Sequence, residues 1–258
     1  MKCTNCFSTL HGTESCASCG FVNNETERDH RALPGNFLLA GKYVIGRVLG
    51  SGGFGITYLA LDTKLNRRVA LKEFLPNEIA GRAKDGLSVR CHSFNEDQQF
   101  RQALGRFFKE GEVMARFDHP NIVRAYEVFE GNGTAYLAME YLDGQSLRQI
   151  LHGCGNLTEV QAKDILTFVL DALKVTHAHG VLHRDLKPDN IYVTKEGRTL
   201  LLDFGGAKDF VGAQSHSLLA IFSHGYAAPE QYHGNDARAG PWTDVYGAAA
   251  LLYKLVTG

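Results

Sequence analysis

Excess charge of either sign is missing from this chain: across 258 residues, 27 lysines and arginines face 28 aspartates and glutamates. A near-neutral chain offers no broad electrostatic footprint for nucleic acid or anionic lipid, so neither is expected as a partner. The apolar stretch of a secretory leader is also missing, since the chain starts Met1-Lys2-Cys3-Thr4-Asn5-Cys6. No apolar run reaches the length of a membrane span. Residues 244–258 are apolar, but Asp244 and Lys254 among them favour a buried helix. Internal repeats and low-complexity tracts are absent. So is a Gly-x-x-x-x-Gly-Lys-Ser/Thr sequence, which argues against a P-loop nucleotide enzyme. What remains is a cytosolic chain, or a cytosolic portion of one, with one large domain or two unequal ones.

Cysteine is sparse along most of the chain, yet four of the six cluster at its start as Cys3, Cys6, Cys16 and Cys19. Two C-x2-C knuckles of this kind can close tetrahedrally on one structural zinc ion, each thiolate pair gripping from a tight turn. Gly20 suits such a turn. The alternatives are a pair of disulfides, which a reducing cytosol disfavours, or an iron site. Four thiolates complete the shell, so His11 reads as a loop residue, and Cys91 and Cys154 as ordinary small residues. Residues 1–21 are too few to build a core, so metal binding would supply their folding energy. Residues 22–36 are polar and aperiodic and end near Pro34-Gly35, which reads as a linker.

Three strands are expected next, at 43–49, 56–61 and 68–72, where β-branched and aromatic residues are dense. A helix should follow from a capping box at Ser93 and Glu96, with Phe100, Leu104, Phe107, Phe108 and Met114 at helical spacing. A second box, Thr158 with Gln161, opens a helix that carries Ile165, Leu166, Val169, Leu170 and Leu173 on one face and stops at Gly180. Strands first and helices afterwards is an α+β order.

The chemistry concentrates in His183-Arg184-Asp185-Leu186-Lys187-Pro188-Asp189-Asn190, followed by Asp203-Phe204-Gly205. One carboxylate there can accept a hydroxyl proton, and an amide and a second carboxylate can hold magnesium. Gly50-Ser51-Gly52-Gly53-Phe54-Gly55 is a weak signal alone. The strand-forming residues after it turn the chain back as a hairpin, not into the helix of a dinucleotide fold. With Val69-Ala70-Leu71-Lys72, His119-Pro120-Asn121-Ile122-Val123 and Ala228-Pro229-Glu230, the sequence from Tyr43 to Gly258 resembles the eukaryotic-like Ser/Thr protein kinase family in a bacterial form.

That resemblance implies a two-lobed kinase fold, a β-rich N-lobe and a helical C-lobe, preceded by a small zinc ribbon. The expected partition is ribbon 1–21, linker 22–42 and kinase domain 43–258. The implied activity is transfer of the γ-phosphate of ATP to Ser/Thr hydroxyls of protein substrates, in signalling and on itself, with one or two magnesium ions. The alternative is a kinase-like scaffold without activity. Asp185 is then the base, Lys187 the γ-phosphate lysine, and Asn190 and Asp203 the Mg2+ ligands. Lys72 grips the α and β phosphates and pairs with Glu110. Glu112 is the weaker candidate, about 200° away around the helix. Gly50, Gly52 and Gly55 form the lid, Ala70 the adenine roof, Met139 the gatekeeper, and the backbone at Glu140 and Leu142 the adenine reader. Thr57 and Tyr192 stand where the family has valine and leucine. His183, Phe204 and Met114 are packing residues. Ser215, Ser217 and Ser223 are the activation-segment hydroxyls, and a phosphate on Ser215 or Ser217 could pair with Arg184. Asp244 fixes the catalytic-loop backbone. The resemblance also leads one to expect further helices after Gly258, including an arginine partner for a buried Glu230. Without them Leu251, Leu252 and Leu255 are expected to be exposed. The stretch between Lys72 and Glu110 is longer than in most of the family and reads as an ordered insert.

Overall fold

The computed structural model describes residues 1–10, 15–22, 29–203, 225–232 and 239–258. They form two compact units, Met1–Ala115 with Ala125–Tyr141, and Arg116–Arg124 with Leu142–Gly258. His11, Phe204, Gly205, Ser215, Ser217 and Ser223 lie outside the described residues. Among the described residues, no helix is long and apolar enough to cross a membrane.

The strands of the first unit are β1 (Leu38–Leu39), β2 (Tyr43–Ser51), β3 (Gly55–Asp62), β4 (Arg67–Phe74), β5 (Ala80–Arg82), β6 (Val89–Cys91), β7 (Ala125–Gly131) and β8 (Thr134–Glu140). Six of them make one antiparallel sheet in the order β1-β2-β3-β4-β8-β7, while β5 and β6 pair as a separate hairpin. The helix α1 (Phe94–Met114) buries Phe100, Phe107 and Met114. Phe74 of β4 meets two of those rings at centroid distances of 5.5 and 5.4 Å. The expected capping box at its start is not made: the two side chains bond each other instead, the Ser93 hydroxyl donating to Glu96 Oε2 at 2.8 Å, and Ser93 caps no backbone N–H.

Successive side chains on a strand point to opposite faces, and β4 uses this to separate two charges. Lys72 shares a face with Phe74, towards α1. Glu73 takes the other face, where it is fully buried. There its two oxygens accept from Tyr58 Oη at 2.7 Å, Tyr136 Oη at 2.8 Å, and Arg82 Nη1 and Nη2 at 2.8 and 2.5 Å. Burial pushes both tyrosine hydroxyls well above their ordinary pKa, so they stay protonated as donors. Arg82 comes from the insert, which is ordered as the β5–β6 hairpin.

The described part of the expected linker is packed, not free. Leu33 is fully buried and its N–H donates to Tyr58 Oη at 3.0 Å, while Asn36 N–H reaches Ile45 O at 2.8 Å. Leu39 of β1 is buried too, and two buried leucines six residues apart leave no periodicity to read in sequence. The N-terminal knuckles also dock on this unit. Arg47 N–H donates to Thr4 O at 2.7 Å and Arg47 Nε to Asn5 Oδ1 at 2.8 Å. Phe7 packs with Leu59 and Leu61. A Cβ on Gly46 would lie 2.5 Å from Thr4 O and 2.8 Å from the Phe7 ring, so only glycine permits this approach.

In the second unit β9 (Gly144–Ser146), β10 (Ile191–Thr194) and β11 (Thr199–Leu201) form a sheet in the order β11-β10-β9. Helices α2 (Leu147–Cys154) and α3 (Glu159–Ala178) each open on a complete capping box, Ser146 with Gln149 and Thr158 with Gln161. At the end of α3, Gly180 at φ +72° bonds to His177 O, and Val181 N–H to Thr176 O. These bonds satisfy carbonyls the helix leaves open. Its buried stripe is Ala162, Val169, Ala172, Leu173 and Thr176, whereas Leu170, expected inside, is exposed because it lies a hundred degrees or so off that stripe. After the single turn α4 (Pro229–Tyr232) comes α5 (Pro241–Thr257), which packs on α3. Leu251 and Leu255, expected to be exposed, are fully buried, and Leu252 is half-buried. The exposed face of α5 carries Trp242, Val245, Tyr246 and Tyr253 instead.

Candidate active site

The expected nucleotide residues divide between the two units. In the first, strand register sets Gly50 opposite Thr57, Thr57 opposite Lys72, and Ala70 opposite Met139. Directly paired residues share a face, as do positions two apart on a strand. Thr57, Ala70, Lys72 and Met139 therefore line one side of the sheet, with Glu140 at the end of β8. Lys72 Nζ lies 3.9 Å from Glu110 Oε1, a loose ion pair with both groups largely buried. Glu112 sits on the exposed side of α1.

The three glycines differ in what demands them. A Cβ on Gly55 would lie 2.0 Å from Glu73 O, so the close approach of β3 to β4 excludes any side chain. A Cβ on Gly50 or Gly52 meets nothing within 4 Å, and neither has a left-handed backbone. Packing among the described residues does not require these two. The hairpin that carries them is tied at its tip, where Leu75 N–H donates to Phe54 O and Asn77 N–H to Gly53 O.

In the second unit, the Asp185 carboxylate gathers its neighbours. Lys187 Nζ reaches Asp185 Oδ2 at 2.7 Å, and Asn190 Nδ2 donates to Asp185 Oδ2 at 3.0 Å and to Asp185 O at 2.8 Å. The loop that presents it is held by Asp244, a carboxylate buried in α5. Asp244 accepts the His183 and Arg184 N–H groups at 2.9 and 2.7 Å and His177 Nε2 at 2.7 Å. A carboxylate only accepts, so His177 must donate there. Burial works to raise the Asp244 pKa, but the His177 hydrogen bond, the His183 ring and the two backbone N–H groups outweigh it, and the carboxyl is held below its ordinary value. His183 is fixed in one tautomer: Nε2 donates to Leu202 O at 2.9 Å, so Nδ1 accepts the Asp185 N–H at 3.3 Å. Arg184 and Asp203 adopt φ of +63° and +47°. That region is costly for side-chain-bearing residues and clusters at functional sites. Tyr192 Oη donates to Leu142 O at 3.4 Å. Glu230, expected to be buried, is half-buried and accepts from Thr243 Oγ1 at 2.6 Å. A hydroxyl partner on the next helix keeps that carboxylate satisfied.

At the N-terminus the four thiols lie within 4.8 Å of one another, with Cys3 Sγ 3.8 Å from Cys19 Sγ and Cys6 Sγ 3.5 Å from Cys16 Sγ. Zn–S bonds of about 2.3 Å in a tetrahedron require S···S edges of roughly 3.8 Å, so the cluster fits one zinc ion. All four cysteines are free, and the spacing is far too long for disulfides. The two knuckles repeat one pattern: Phe7 N–H bonds to Cys3 O and Gly20 N–H to Cys16 O. The Ser8 hydroxyl pulls the Cys6 thiol down to about 6, while burial pushes Cys3 up to about 11.

The protein kinase domain family model matches residues 43–258. The chain is 34% identical over 231 residues to serine/threonine-protein kinase F of Synechocystis sp., which covers 86% of this chain and 45% of that protein. It is 34% identical over 226 residues to serine/threonine-protein kinase PknA of Mycobacterium tuberculosis, covering 85% of this chain and 48% of that one. Among solved structures, the PpkA-294 apo form superposes with a TM-score of 0.77 at 32% identity, over 88% of this chain and 79% of that chain. This chain belongs to the protein kinase family, and its relatives are bacterial serine/threonine kinases. It spans less than half the length of these curated relatives.

The sequence motifs name Asp185, Lys187, Asn190 and Asp244, but not two side chains that brace this loop: Gln231, whose Nε2 donates to Arg184 O at 2.8 Å, and His177, which has no motif of its own. Its only signal is its place in the last turn of α3, two residues before the helix cap.

Proposed function

We propose that this chain is an ATP- and Mg2+-dependent serine/threonine protein kinase that phosphorylates Ser/Thr hydroxyls of proteins, itself included, in signalling in the cytoplasm. The observation that carries the reading is the loop from His183 to Asn190, whose backbone hangs on a buried carboxylate while Asp185, Lys187 and Asn190 converge. Preorganised groups of this kind act on developing charge without reorganising during reaction. Asp185 orients the substrate hydroxyl and accepts its proton, and Lys187 offers positive charge to the transferred phosphoryl group. Lys72, aligned by Glu110, binds the α and β phosphates under the Gly50–Gly55 hairpin. Gly50 and Gly52 leave open space there that packing does not need, which suits close approach of a nucleotide.

Asn190 and Asp203 supply the amide and carboxylate oxygens that a hard cation prefers, and they would hold magnesium. Held there, magnesium would supply positive charge against the charge of the phosphates. For adenine, the first unit offers Thr57, Ala70 and Met139 and the backbone of Glu140, and the second unit offers Tyr192 and the backbone of Leu142. Residues 1–21 form a structural zinc ribbon, 22–42 the connection and 43–258 the kinase domain. Incubation with γ-labelled ATP and a Ser/Thr substrate protein tests the reading. Label should pass to substrate from the unmodified chain and not from Asp185→Asn. A chain that binds no Mg·ATP and transfers no label would leave it a kinase-like scaffold.

A further inference from the structure

Ser51 lies between Gly50 and Gly52, at the point where β2 enters the glycine hairpin. Its hydroxyl is engaged twice by a segment that precedes the kinase domain. Arg31 Nη2 donates to Ser51 Oγ at 2.7 Å, and Ser51 Oγ donates to Asp29 Oδ2 at 2.6 Å. Arg31 and Asp29 in turn grip each other, Nη2 to Oδ2 at 2.8 Å and Nε to Oδ1 at 3.2 Å. The three side chains thus close a ring that fixes the direction of the serine proton. The Arg31 guanidinium and the Ser51 hydroxyl hold the Asp29 carboxyl far below the usual carboxylate range, so the ring stays ionised at neutral pH.

The segment that carries the ring is itself anchored, two residues on, by buried Leu33 and its bond to Tyr58 Oη. Arg82 Nε also donates to Arg31 O at 2.8 Å, and the same Arg82 holds Glu73, the neighbour of Lys72. The clip on the hairpin and the strand that presents Lys72 therefore share one support. We propose that Asp29 and Arg31 are positioning residues for the nucleotide-binding hairpin, acting through Ser51. Holding the hairpin in one place before ligand arrives lowers the ordering cost of binding. The effect belongs to nucleotide affinity, not to the chemical step. This inference rests on the kinase reading above.

The test uses the full chain with Asp29→Ala, Arg31→Ala, Ser51→Ala and the Asp29→Ala/Ser51→Ala pair. Each single change should raise the Kd of a non-hydrolysable Mg·ATP analogue, by calorimetry, and the KM for ATP by about three- to tenfold, the net worth of about one hydrogen bond. The turnover number should stay within about twofold of the unmodified chain. The paired change should cost no more than the larger single one, since both remove the same contact. Melting temperatures are read alongside. If Arg31→Ala melts markedly lower, Asp29→Asn, which keeps the shape and drops the charge, replaces it. Unchanged Kd and KM, or additive effects at Asp29 and Ser51, overturn the clip and leave the kinase reading intact. An unmodified chain that binds no analogue overturns both.

Discussion

On the proposed reading, function turns on a single atom at Asp185. Replacing it with asparagine keeps the size of the side chain and removes the base, while every residue proposed to touch ATP is spared. Phosphoryl transfer should fall by about 10²–10⁴-fold, the usual worth of a general base, with analogue Kd changed little. Paired turnover and calorimetric measurements check this, and near-normal turnover in the variant would remove Asp185 from its role. Asp244 acts through structure instead. Asp244→Ala strips acceptors from two buried backbone N–H groups and from His177, and should cost about 3–5 kcal/mol of stability. Its pH signature has a definite sign. The folded carboxyl is held below the unfolded value of about 3.9, so its contribution is full above that value and fades as pH falls through the lower folded one. Urea unfolding of the unmodified chain and Asp244→Asn should therefore give stability curves that converge below about pH 4. A gap that stays constant down to pH 2 or so would show that the carboxylate charge is not what holds the loop.

Elements differ in how far their sequence announces them. The loop from His183 to Asn190 is legible because the phosphoryl-transfer chemistry proposed for it needs fixed residue types at short spacing, and Asp185, Lys187 and Asn190 meet within six residues. The strands at 43–49, 56–61 and 68–72 were legible from composition, and each extends only a few residues further in the structure. From sequence the β5–β6 hairpin is legible only as an ordered insert, since its structural role lies in Arg82, an arginine with nothing local to mark it. Only the fold brings it to Glu73, whose burial follows from strand alternation next to Lys72. The pair is expected to matter to stability. Arg82→Met would leave a buried carboxylate with two tyrosines as its remaining described donors, at a cost of about 3–5 kcal/mol. Adding Glu73→Gln should recover part of that loss. Chemical denaturation of both variants decides it, and equal stability of Arg82→Met and the unmodified chain would mean that the two hydroxyls suffice.

At the scale of the whole molecule, the N-terminal knuckles read from sequence as a module joined by a tether, but their contacts make them part of the first unit. No hydrophobic pattern reveals this. The signal is one glycine, Gly46, and one aromatic, Phe7, far apart in sequence and meaningful only once β2 is in place. Four cysteines at tetrahedral spacing fit one metal ion, and its binding would supply this segment's folding energy, so metal and sheet stability should be linked. The reduced chain should carry about one zinc. Withdrawing it with a chelator should unfold the knuckles, remove the Phe7 ring from Leu59 and Leu61, and free Arg47 from Thr4 and Asn5. Losing a buried aromatic contact of this kind costs about 3–5 kcal/mol when a core phenylalanine is truncated, and this shallower site should fall at or below the lower end. Chelation, Cys6→Ser and deletion of residues 1–21 should therefore lower the melting temperature by similar amounts, and Phe7→Ala should reproduce most of the drop with zinc retained. Metal analysis and thermal melts on one set of samples make the comparison. If chelation strips the zinc and the melting temperature does not move, the knuckles ride on the sheet without supporting it, and the tethered-module reading returns.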